Sequence, residues 1–229
     1  MHSRRMSQDL ARYIDHTNLR PDATRADIEK LCAEADEHRF FSVCVNSSRI
    51  ALAYHLLEDS ETQVCSVVGF PLGAMDADAK RYETETAVDL GANEIDMVMN
   101  VGRFKDGDDD YIVREIRDIV EAAEDRVVKV ILETCLLTRE EITRACALAM
   151  KAEAHFVKTS TGFGSGGATV EDVAAMRQAV GQAAGVKASG GIRDAETALA
   201  MIDAGATRLG CSSGIAIVSG TDAPVPGRY

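Results

Sequence analysis

The sequence contains no tryptophan, and aromatic residues make up only 5% of its 229 residues. No apolar run approaches the roughly 18 residues that a membrane-spanning helix needs, which argues against a membrane protein. Residues 1–5 are basic but lead into no apolar segment, so the pattern of a secretory signal is absent. We therefore expect a cytoplasmic protein, and its apolar content of 46% is enough for a full core.

Motifs for metal binding and redox chemistry are also missing from the sequence. The six cysteines are spread singly along the chain and form no C-x-x-C pair. The five histidines form no ligand cluster, so we expect neither a metal site nor a cofactor. Free cysteines inside strands and helices usually act as small apolar side chains, which fits the reducing cytosol.

Lysine is scarce, since the chain has 7 lysines against 18 arginines, and the formal net charge is −12. This charge argues against a nucleic-acid partner, which would require a basic face. An acidic, lysine-poor surface fits a protein that works at high salt, where counterions screen the self-repulsion. An ordinary acidic cytosolic protein is the alternative interpretation.

Segments with strand patterns and helix patterns alternate along the sequence. Strand patterns cover residues 13–17, 42–46, 63–69, 94–100, 127–134, 155–161, 186–191 and 207–213. Such alternation predicts an α/β fold with a parallel sheet, either open and doubly wound or closed into a barrel. Eight strands favour the closed (β/α)8 TIM barrel. We expect one domain over residues 1–229, with a short last helix and a flexible tail at 221–229.

Alternation within the strands predicts which side chains enter the barrel. Successive strand residues point to opposite faces, and one of the two faces is consistently apolar. The other face collects Asp96, Lys129, Lys158 and Lys187, which we therefore expect to line the interior. Lys129 and Lys158 are 29 residues apart, as are Lys158 and Lys187. Because that spacing is about one βα unit, the three amines should lie at similar heights on consecutive strands.

Lys158 lies inside a buried strand pattern that runs into the glycine-rich stretch 162–167. Neighbouring ammonium groups disfavour one another's charged form, so at least one amine should be neutral near pH 7. A neutral lysine attacks a carbonyl to form a Schiff base, which then serves as an electron sink for carbon–carbon bond cleavage. Asp96 could move the proton. A structural, paired cation is the simpler interpretation of Lys129 alone, whereas Lys158, Lys187 and Asp96 together indicate catalysis.

Glycines after the last two strands indicate a phosphate site. Gly190 and Gly191 follow the seventh strand, and the eighth strand runs into Gly-Cys-Ser-Ser-Gly at 210–214. Barrel enzymes often bind phosphate in these two loops through backbone N–H groups. The loop at 162–167 is either a mobile cover or a long turn. Cys44 is either a site residue or a packed thiol, and Asp15 either holds a polar network or pairs with an arginine.

In their order along nearly the whole chain, these segments resemble the 2-deoxyribose-5-phosphate aldolases, a family of class I aldolases with a TIM-barrel fold. The matching pieces are Tyr-Ile-Asp-His-Thr at 13–17, Val-Cys-Val-Asn at 43–46, Gly-Phe-Pro-Leu-Gly at 69–73, Glu-Ile-Asp-Met-Val-Met-Asn at 94–100, Val-Lys-Val-Ile-Leu-Glu-Thr at 128–134, Phe-Val-Lys-Thr-Ser-Thr-Gly at 156–162 and Val-Lys-Ala-Ser-Gly-Gly-Ile at 186–192. The resemblance implies reversible cleavage of a phosphorylated sugar, 2-deoxy-D-ribose 5-phosphate, to D-glyceraldehyde 3-phosphate and acetaldehyde.

The same resemblance implies roles for individual residues. Lys158 would form the Schiff base, Lys187 would favour its neutral form and assist proton transfer, and Asp96 would belong to the proton relay. The positions that match the phosphate-binding part of the family are Gly162, Gly190, Gly191, Ser212 and Ser213. The supporting residues are Lys129, Cys44, Asp15 and Thr161.

Two features of the family pattern bear on the ends of the site. Some members have a lysine that helps to hold phosphate where this chain has Phe163, which shifts that contact to backbone groups and Arg193. Members often end in a tyrosine that moves a proton, and this chain ends at Tyr229, although the segment after Ser213 is short for the family. The resemblance also implies a homodimer. The alternatives are a Schiff-base aldolase for another phosphorylated sugar and a non-catalytic barrel that binds phosphosugars.

Overall fold

A computed structural model describes residues 10–221. Eight parallel strands close into a barrel in the order of the sequence, and the eighth strand pairs with the first. The strands are β1 (Ile14–Asn18), β2 (Ser42–Val45), β3 (Gln63–Val68), β4 (Glu94–Val98), β5 (Val127–Ile131), β6 (Phe156–Lys158), β7 (Gly185–Ser189) and β8 (Arg208–Cys211). The closed barrel expected from the strand count is confirmed, and the open doubly wound sheet is excluded.

Helices follow the strands and surround the barrel. They are α1 (Arg25–His38), α2 (Ile50–Leu56), α3 (Ala77–Asp89), α4 (Val101–Lys105), α5 (Asp109–Ala122), α6 (Arg139–Lys151), α7 (Val170–Val180), α8 (Ala195–Asp203) and α9 (Gly214–Ser219). Short 3₁₀ turns occupy Ser47–Arg49 and Thr134–Leu136. The sequence patterns did not predict α4, which begins where the Asn100 side chain accepts a hydrogen bond from the backbone N–H of Arg103.

Two of the long helices begin with a complete capping box. The Thr24 side chain accepts from the backbone N–H of Asp27, whose carboxylate accepts from the N–H of Thr24, and Thr138 and Glu141 repeat this arrangement. Each box satisfies two N–H groups that the first helical turn leaves without partners. The capping boxes therefore explain why α1 begins after Thr24 and α6 after Thr138.

Strand alternation divides the interior into two regions. Side chains such as Val43, Ile95 and Val157 belong to a large apolar core that includes residues of the surrounding helices. Inside the barrel, a second apolar cluster consists of Leu19, Cys44, Cys65 and Val67. Charged side chains, among them Asp96, Lys129 and Lys187, also point inward and are fully buried, so the centre of the barrel is polar.

The carboxyl ends of the parallel strands meet at one rim of the barrel. Lys158 is the last residue of β6, which is shorter than the predicted strand at 155–161. Beyond it, the Thr159 N–H still donates to the carbonyl oxygen of Lys187. The chain therefore leaves β6 at the rim, and the loop after Lys158 borders the barrel mouth. Within residues 10–221, no helix has the length and apolar character needed to cross a membrane.

Candidate active site

Asp96, on β4, lies at the centre of a cluster of ion pairs inside the barrel. Its Oδ1 accepts from Lys129 Nζ at 2.8 Å. Its Oδ2 accepts from Lys158 Nζ at 2.7 Å and from Lys187 Nζ at 2.8 Å. The strand register explains this meeting, because Asp96 is paired with Lys129 across β4 and β5, and Lys158 with Lys187 across β6 and β7.

A second group of charges lies next to the Asp96 cluster. Asp15 on β1 accepts from Lys187 Nζ and, at 2.9 Å, from the guanidinium of Arg208 on β8. Arg208 also donates at 2.9 Å to Glu94, and Glu94 lies 2.7 Å from Lys129 Nζ. Asp15 therefore both extends the polar network and pairs with an arginine, so the two alternatives for this residue hold together.

Attraction between opposite charges outweighs the cost of burial in this cluster. Burial would raise the pKa of Asp96, but Lys129, Lys158 and Lys187 hold it well below the usual range for a carboxyl. Burial would likewise lower the pKa of Lys187, but Asp15 and Asp96 raise it above the ordinary value. Lys129 behaves in the same way, with Asp96 as its main partner. Asp96 is therefore a carboxylate, and Lys129 and Lys187 are ammonium ions, at neutral pH.

This electrostatic balance differs from the expectation that repulsion between neighbouring ammonium groups dominates. The lysines alternate with carboxylates in space, so attraction outweighs that repulsion. Two members of the cluster, Glu94 and Arg208, were missed altogether. Glu94 shares the inward face of β4 with Asp96, so parity could have revealed it. Arg208 does not follow the 29-residue spacing, and only its pairing with Lys187 across β7 and β8 brings it into the cluster.

Cys44 and Cys65 lie beside each other on β2 and β3, next to Asp96. Burial raises the pKa of Cys65 well above the usual thiol value, so its S–H can donate to Asp96 Oδ1 at 3.2 Å. One ligand atom from each of Cys44, Cys65 and Asp96 lies within 4.8 Å of the others, which is short enough for a metal site. A cation would nevertheless compete with the ammonium groups already bound to Asp96, so these donors fit a packed, hydrogen-bonded role better.

A pocket of about 550 Å³ opens at the rim of the barrel, between the loops that follow β1, β6, β7 and β8. Lys158 lines this pocket and is 3% exposed, whereas Lys187, Lys129 and Asp96 are fully buried. Among the charged residues of the described barrel interior, Lys158 is thus the one that a ligand in the pocket can reach. Its carboxylate partner, Asp96, is fully buried and does not line the pocket.

The glycines predicted to bind phosphate border the same pocket. Gly190 and Gly191 have φ angles of +87° and +83°, a region that glycine adopts without strain. Gly162 and Ser212 also line the pocket, together with Arg193. Ser213 is not part of this lining and instead precedes α9.

The loop after β6 forms one wall of the pocket. Thr161 and Phe163 both line it, and the Phe163 ring makes an edge-to-face contact with Phe70, with 5.3 Å between the ring centroids. The far end of the loop is fixed to β7, because the Ala168 N–H donates to the carbonyl oxygens of Ser189 and Gly190. These contacts describe an anchored turn rather than a freely moving cover.

Glu133, a residue that the sequence patterns did not single out, contacts the loop that borders the pocket. It follows β5 with a φ of +55°, which is uncommon for a residue other than glycine. The Thr161 side chain and backbone N–H both donate to its carboxylate, and the Thr161 hydroxyl accepts from the N–H of Phe163. Glu133 therefore fixes the start of the loop that borders the pocket. Its unusual backbone conformation leaves no signal in the sequence.

Comparison with known proteins agrees with this architecture. Residues 10–220 match the model of the DeoC/LacD family of aldolases. The chain belongs to this aldolase family. It is 60% identical over 211 residues to a deoxyribose-phosphate aldolase of Bdellovibrio bacteriovorus, an alignment that covers 92% of this chain and 96% of that protein. A deoxyribose-phosphate aldolase of a Geobacillus species is 56% identical over 219 residues, covering 95% and 98%.

Solved structures of aldolases have the same fold. The deoxyribose phosphate aldolase of Aeropyrum pernix, described as tetrameric, superposes with a TM-score of 0.88 at 34% identity, covering 93% of this chain and 91% of that one. Since the chain belongs to an aldolase family, the pocket at the rim of the barrel is its candidate active site. Tyr229 lies outside the described residues.

Proposed function

We propose that this aldolase cleaves 2-deoxy-D-ribose 5-phosphate reversibly to D-glyceraldehyde 3-phosphate and acetaldehyde through a Schiff base on Lys158. The substrate follows from the names of the relatives that are 55–60% identical over most of the chain. The position of Lys158 supports the mechanism, because this residue lines the pocket and its Nζ lies 2.7 Å from Asp96 Oδ2. A reactive amine needs both an open face and a partner for proton transfer.

The reaction begins with attack of neutral Lys158 on C1, the aldehyde carbon of the open-chain sugar. Loss of water gives an iminium ion between Nζ and C1. A base removes the proton of the C3 hydroxyl, the C2–C3 bond breaks, and its electron pair moves into an enamine on the lysine. Glyceraldehyde 3-phosphate leaves with C3 as its new aldehyde carbon. Protonation at C2 and addition of water to C1 then release acetaldehyde and restore Lys158.

The other charged groups inside the barrel balance one another in number without Lys158. The three carboxylates Asp15, Glu94 and Asp96 are matched by the three cations Lys129, Lys187 and Arg208. We infer that Asp96 and Lys187 are the groups that can pass a proton to and from Lys158 Nζ, because both lysines donate to the same carboxylate oxygen.

We assign the phosphate to the part of the pocket bordered by Gly162, Gly190, Gly191 and Ser212, with Ser213 next to it in the chain. Glycines at positive φ allow a backbone N–H to approach an anion closely, as in other phosphate-binding loops. Arg193 is exposed at the same edge and supplies positive charge. Phe163 adds an apolar wall instead of a charge, which supports a site that relies on backbone donors.

Borohydride trapping tests the mechanism directly. The protein is incubated with 2-deoxyribose 5-phosphate and reduced, and the modified peptide is identified by mass spectrometry. We expect a stable adduct on Lys158, and we expect Lys158→Leu to lose both adduct and turnover while its circular dichroism stays unchanged. An adduct elsewhere, or normal turnover by the variant, would contradict the proposal. Product formation from dihydroxyacetone phosphate but not from acetaldehyde would instead indicate an aldolase for another phosphorylated sugar.

Three further expectations extend this proposal. We propose that the chain acts as one domain and assembles as a homodimer, which light scattering after size-exclusion chromatography would test against a monomer or a tetramer. We also propose that Tyr229 assists proton transfer, so that Tyr229→Phe lowers kcat. A cytoplasmic location is consistent with six free thiols, the form that reducing compartments maintain.

A further inference from the structure

Each of the eight strands sends at least one ionisable side chain into the barrel. These groups are Asp15 of β1, Cys44 of β2, Cys65 of β3, Glu94 and Asp96 of β4, Lys129 of β5, Lys158 of β6, Lys187 of β7 and Arg208 of β8. Two of them, Glu94 and Arg208, are the first residues of their strands and therefore lie at the amino-terminal end of the barrel, away from the pocket. We call these two residues the basal pair.

The basal pair is part of the buried structure rather than a surface ion pair. Arg208 is 6% exposed and Glu94 is 4% exposed. The Arg208 guanidinium lies over the Phe41 ring at 3.5 Å from its centroid, and it donates to Glu94 through two nitrogens at 2.9 and 3.4 Å. Neither residue lines the pocket. Their position therefore excludes direct contact between either residue and a substrate in the pocket.

Continuous ion pairs nevertheless connect the basal pair to Lys158 along two routes. The first runs from Arg208 through Asp15 and Lys187 to Asp96, whose Oδ2 contacts Lys158. The second runs from Glu94 through Lys129 to the same carboxylate. Every link is a direct contact between opposite charges in a region that solvent hardly reaches. A change of charge at the basal pair therefore changes the electrostatic potential at Lys158, because salt screens interactions between buried groups only weakly.

We propose that Arg208 and Glu94 are positioning residues that set, with opposite signs, the pH at which Lys158 becomes nucleophilic. This inference rests on the proposed role of Lys158 as the Schiff-base lysine. The positive charge of Arg208 disfavours an ammonium ion at Lys158 and so favours the neutral amine. The negative charge of Glu94 acts in the reverse direction. The basal pair thus adjusts the reactive amine from the far end of the barrel without touching the substrate.

The expected signs follow from elementary electrostatics. Arg208→Gln removes a positive charge, so protonated Lys158 is favoured and the acid limb of the kcat/KM profile moves to higher pH. Glu94→Gln removes a negative charge, so the acid limb moves to lower pH. At an effective dielectric constant of about 20, one charge within the cluster is worth about 0.5 to 1 pH unit. Since kcat/KM reports groups of the free enzyme, it is the appropriate measurement.

Two further variants separate electrostatics from damage to the fold. Arg208→Lys keeps the positive charge, so its acid limb should stay within about 0.2 pH unit of the unmodified protein even if packing against Phe41 suffers. Glu115→Gln removes a carboxylate that is equally buried but lies outside the barrel, where it pairs with Lys80. It should lower stability without moving the acid limb. Each profile is accompanied by thermal unfolding followed by circular dichroism.

The proposal stands if Arg208→Gln and Glu94→Gln shift the acid limb in opposite directions. Shifts in the same direction, or no shift in either variant, would overturn it. If Arg208→Gln does not fold, the downward shift in Glu94→Gln decides, because loss of packing alone has no reason to make Lys158 reactive at lower pH. Borohydride trapping with acetaldehyde, applied to the unmodified protein and to each variant, distinguishes failure of this proposal from failure of the proposed function. Adducts on Lys158 together with unshifted kcat/KM profiles would reject only the role of the basal pair. Absence of any adduct on Lys158 in the unmodified protein would reject the proposed function.

Discussion

Lys158 and Lys187, paired across β6 and β7, donate to the same carboxylate oxygen, Oδ2 of Asp96, at 2.7 and 2.8 Å. One oxygen therefore connects a lysine that lines the pocket to a lysine that is fully buried. Lys187 stays charged because Asp15 and Asp96 raise its pKa against the effect of burial. Such a shared acceptor gives a short path for a proton between the two lysines.

Loss of the central carboxylate should affect both activity and stability. In Asp96→Asn, three buried amines lose the charge that compensates them, and the proton path through Oδ2 is interrupted. We expect kcat to fall about 10²- to 10⁴-fold and the free energy of unfolding to fall by about 3–5 kcal/mol. Steady-state kinetics and urea unfolding measure the two effects. A variant with near-normal kcat would show that Asp96 has no part in proton transfer.

A methyl group at Gly191 should interfere with phosphate binding. Gly191 has a φ of +83°, and a Cβ built on it meets nothing within 4 Å, so the methyl group of Gly191→Ala would enter the pocket. We expect KM for 2-deoxyribose 5-phosphate to rise about tenfold, the effect of about 1.4 kcal/mol, with little change for unphosphorylated 2-deoxyribose.

Gly107→Ala is the matched control for this variant. Gly107 has a φ of +80° and equally open surroundings, but it lies outside the pocket. Both variants should lose a similar stability, about 1–2 kcal/mol, because alanine is strained at positive φ. Equal effects of the two changes on KM would argue against a phosphate site at Gly191.

A second buried ion pair, Lys80 with Glu115, should behave differently from the barrel cluster. Burial lowers the pKa of Lys80 and raises the pKa of Glu115, in each case against the attraction of the partner. Removal of one partner leaves an uncompensated buried charge, so Lys80→Met or Glu115→Gln alone should cost about 3–5 kcal/mol. The double variant should cost less than either single change. Urea unfolding of the full cycle measures this coupling, and simple additivity would contradict it.

The pH dependence of stability should have two causes. The pKa values of Asp15 and Asp96 are lowered on folding. Their contribution to the free energy of unfolding is therefore present above the unfolded pKa of about 3.9 and is lost as the pH falls below that value. Burial raises the pKa of Cys32, Cys146 and Cys211 to about 12. The contribution of these thiols to the free energy of unfolding is present below their unfolded pKa of about 8.5 and declines above it.

Chemical unfolding between pH 3 and pH 10 measures this profile. We expect a plateau from about pH 5 to pH 8, set by the unfolded values of the carboxyls and thiols. In Cys146→Ala, the decline in the free energy of unfolding at alkaline pH should be less steep by about 1.4 kcal/mol per pH unit. An alkaline decline of unchanged slope in that variant would remove Cys146 from the explanation.

Salt should stabilise the protein, because most of its lysines do not contribute to the surface. Lys80, Lys129, Lys158 and Lys187 are buried in ion pairs, so only three of the seven lysines are exposed. The surface carries the excess negative charge of a chain with a net charge of −12. Screening of this repulsion should raise the melting temperature between 0.1 and 2 M KCl. The Debye length is about 10 Å at the lower concentration and below 3 Å at the higher one, so screening changes strongly between them. A melting temperature independent of salt would favour an ordinary acidic protein.

The amino-acid sequence was enough to predict the strand count, the inward direction of Asp96, Lys129, Lys158 and Lys187, and the glycines at the rim. These features depend on local rules, since strand alternation has a period of two residues and capping boxes act within one turn. Which charges meet depends instead on how the strands assemble into the barrel. Asp15 and Arg208 are 193 residues apart and come together because β8 closes the barrel against β1. Closure likewise brings Glu94 of β4 to Arg208 of β8, whereas the pairing of β5 with β6 brings Glu133 to Thr161. Local patterns carry no information about either contact.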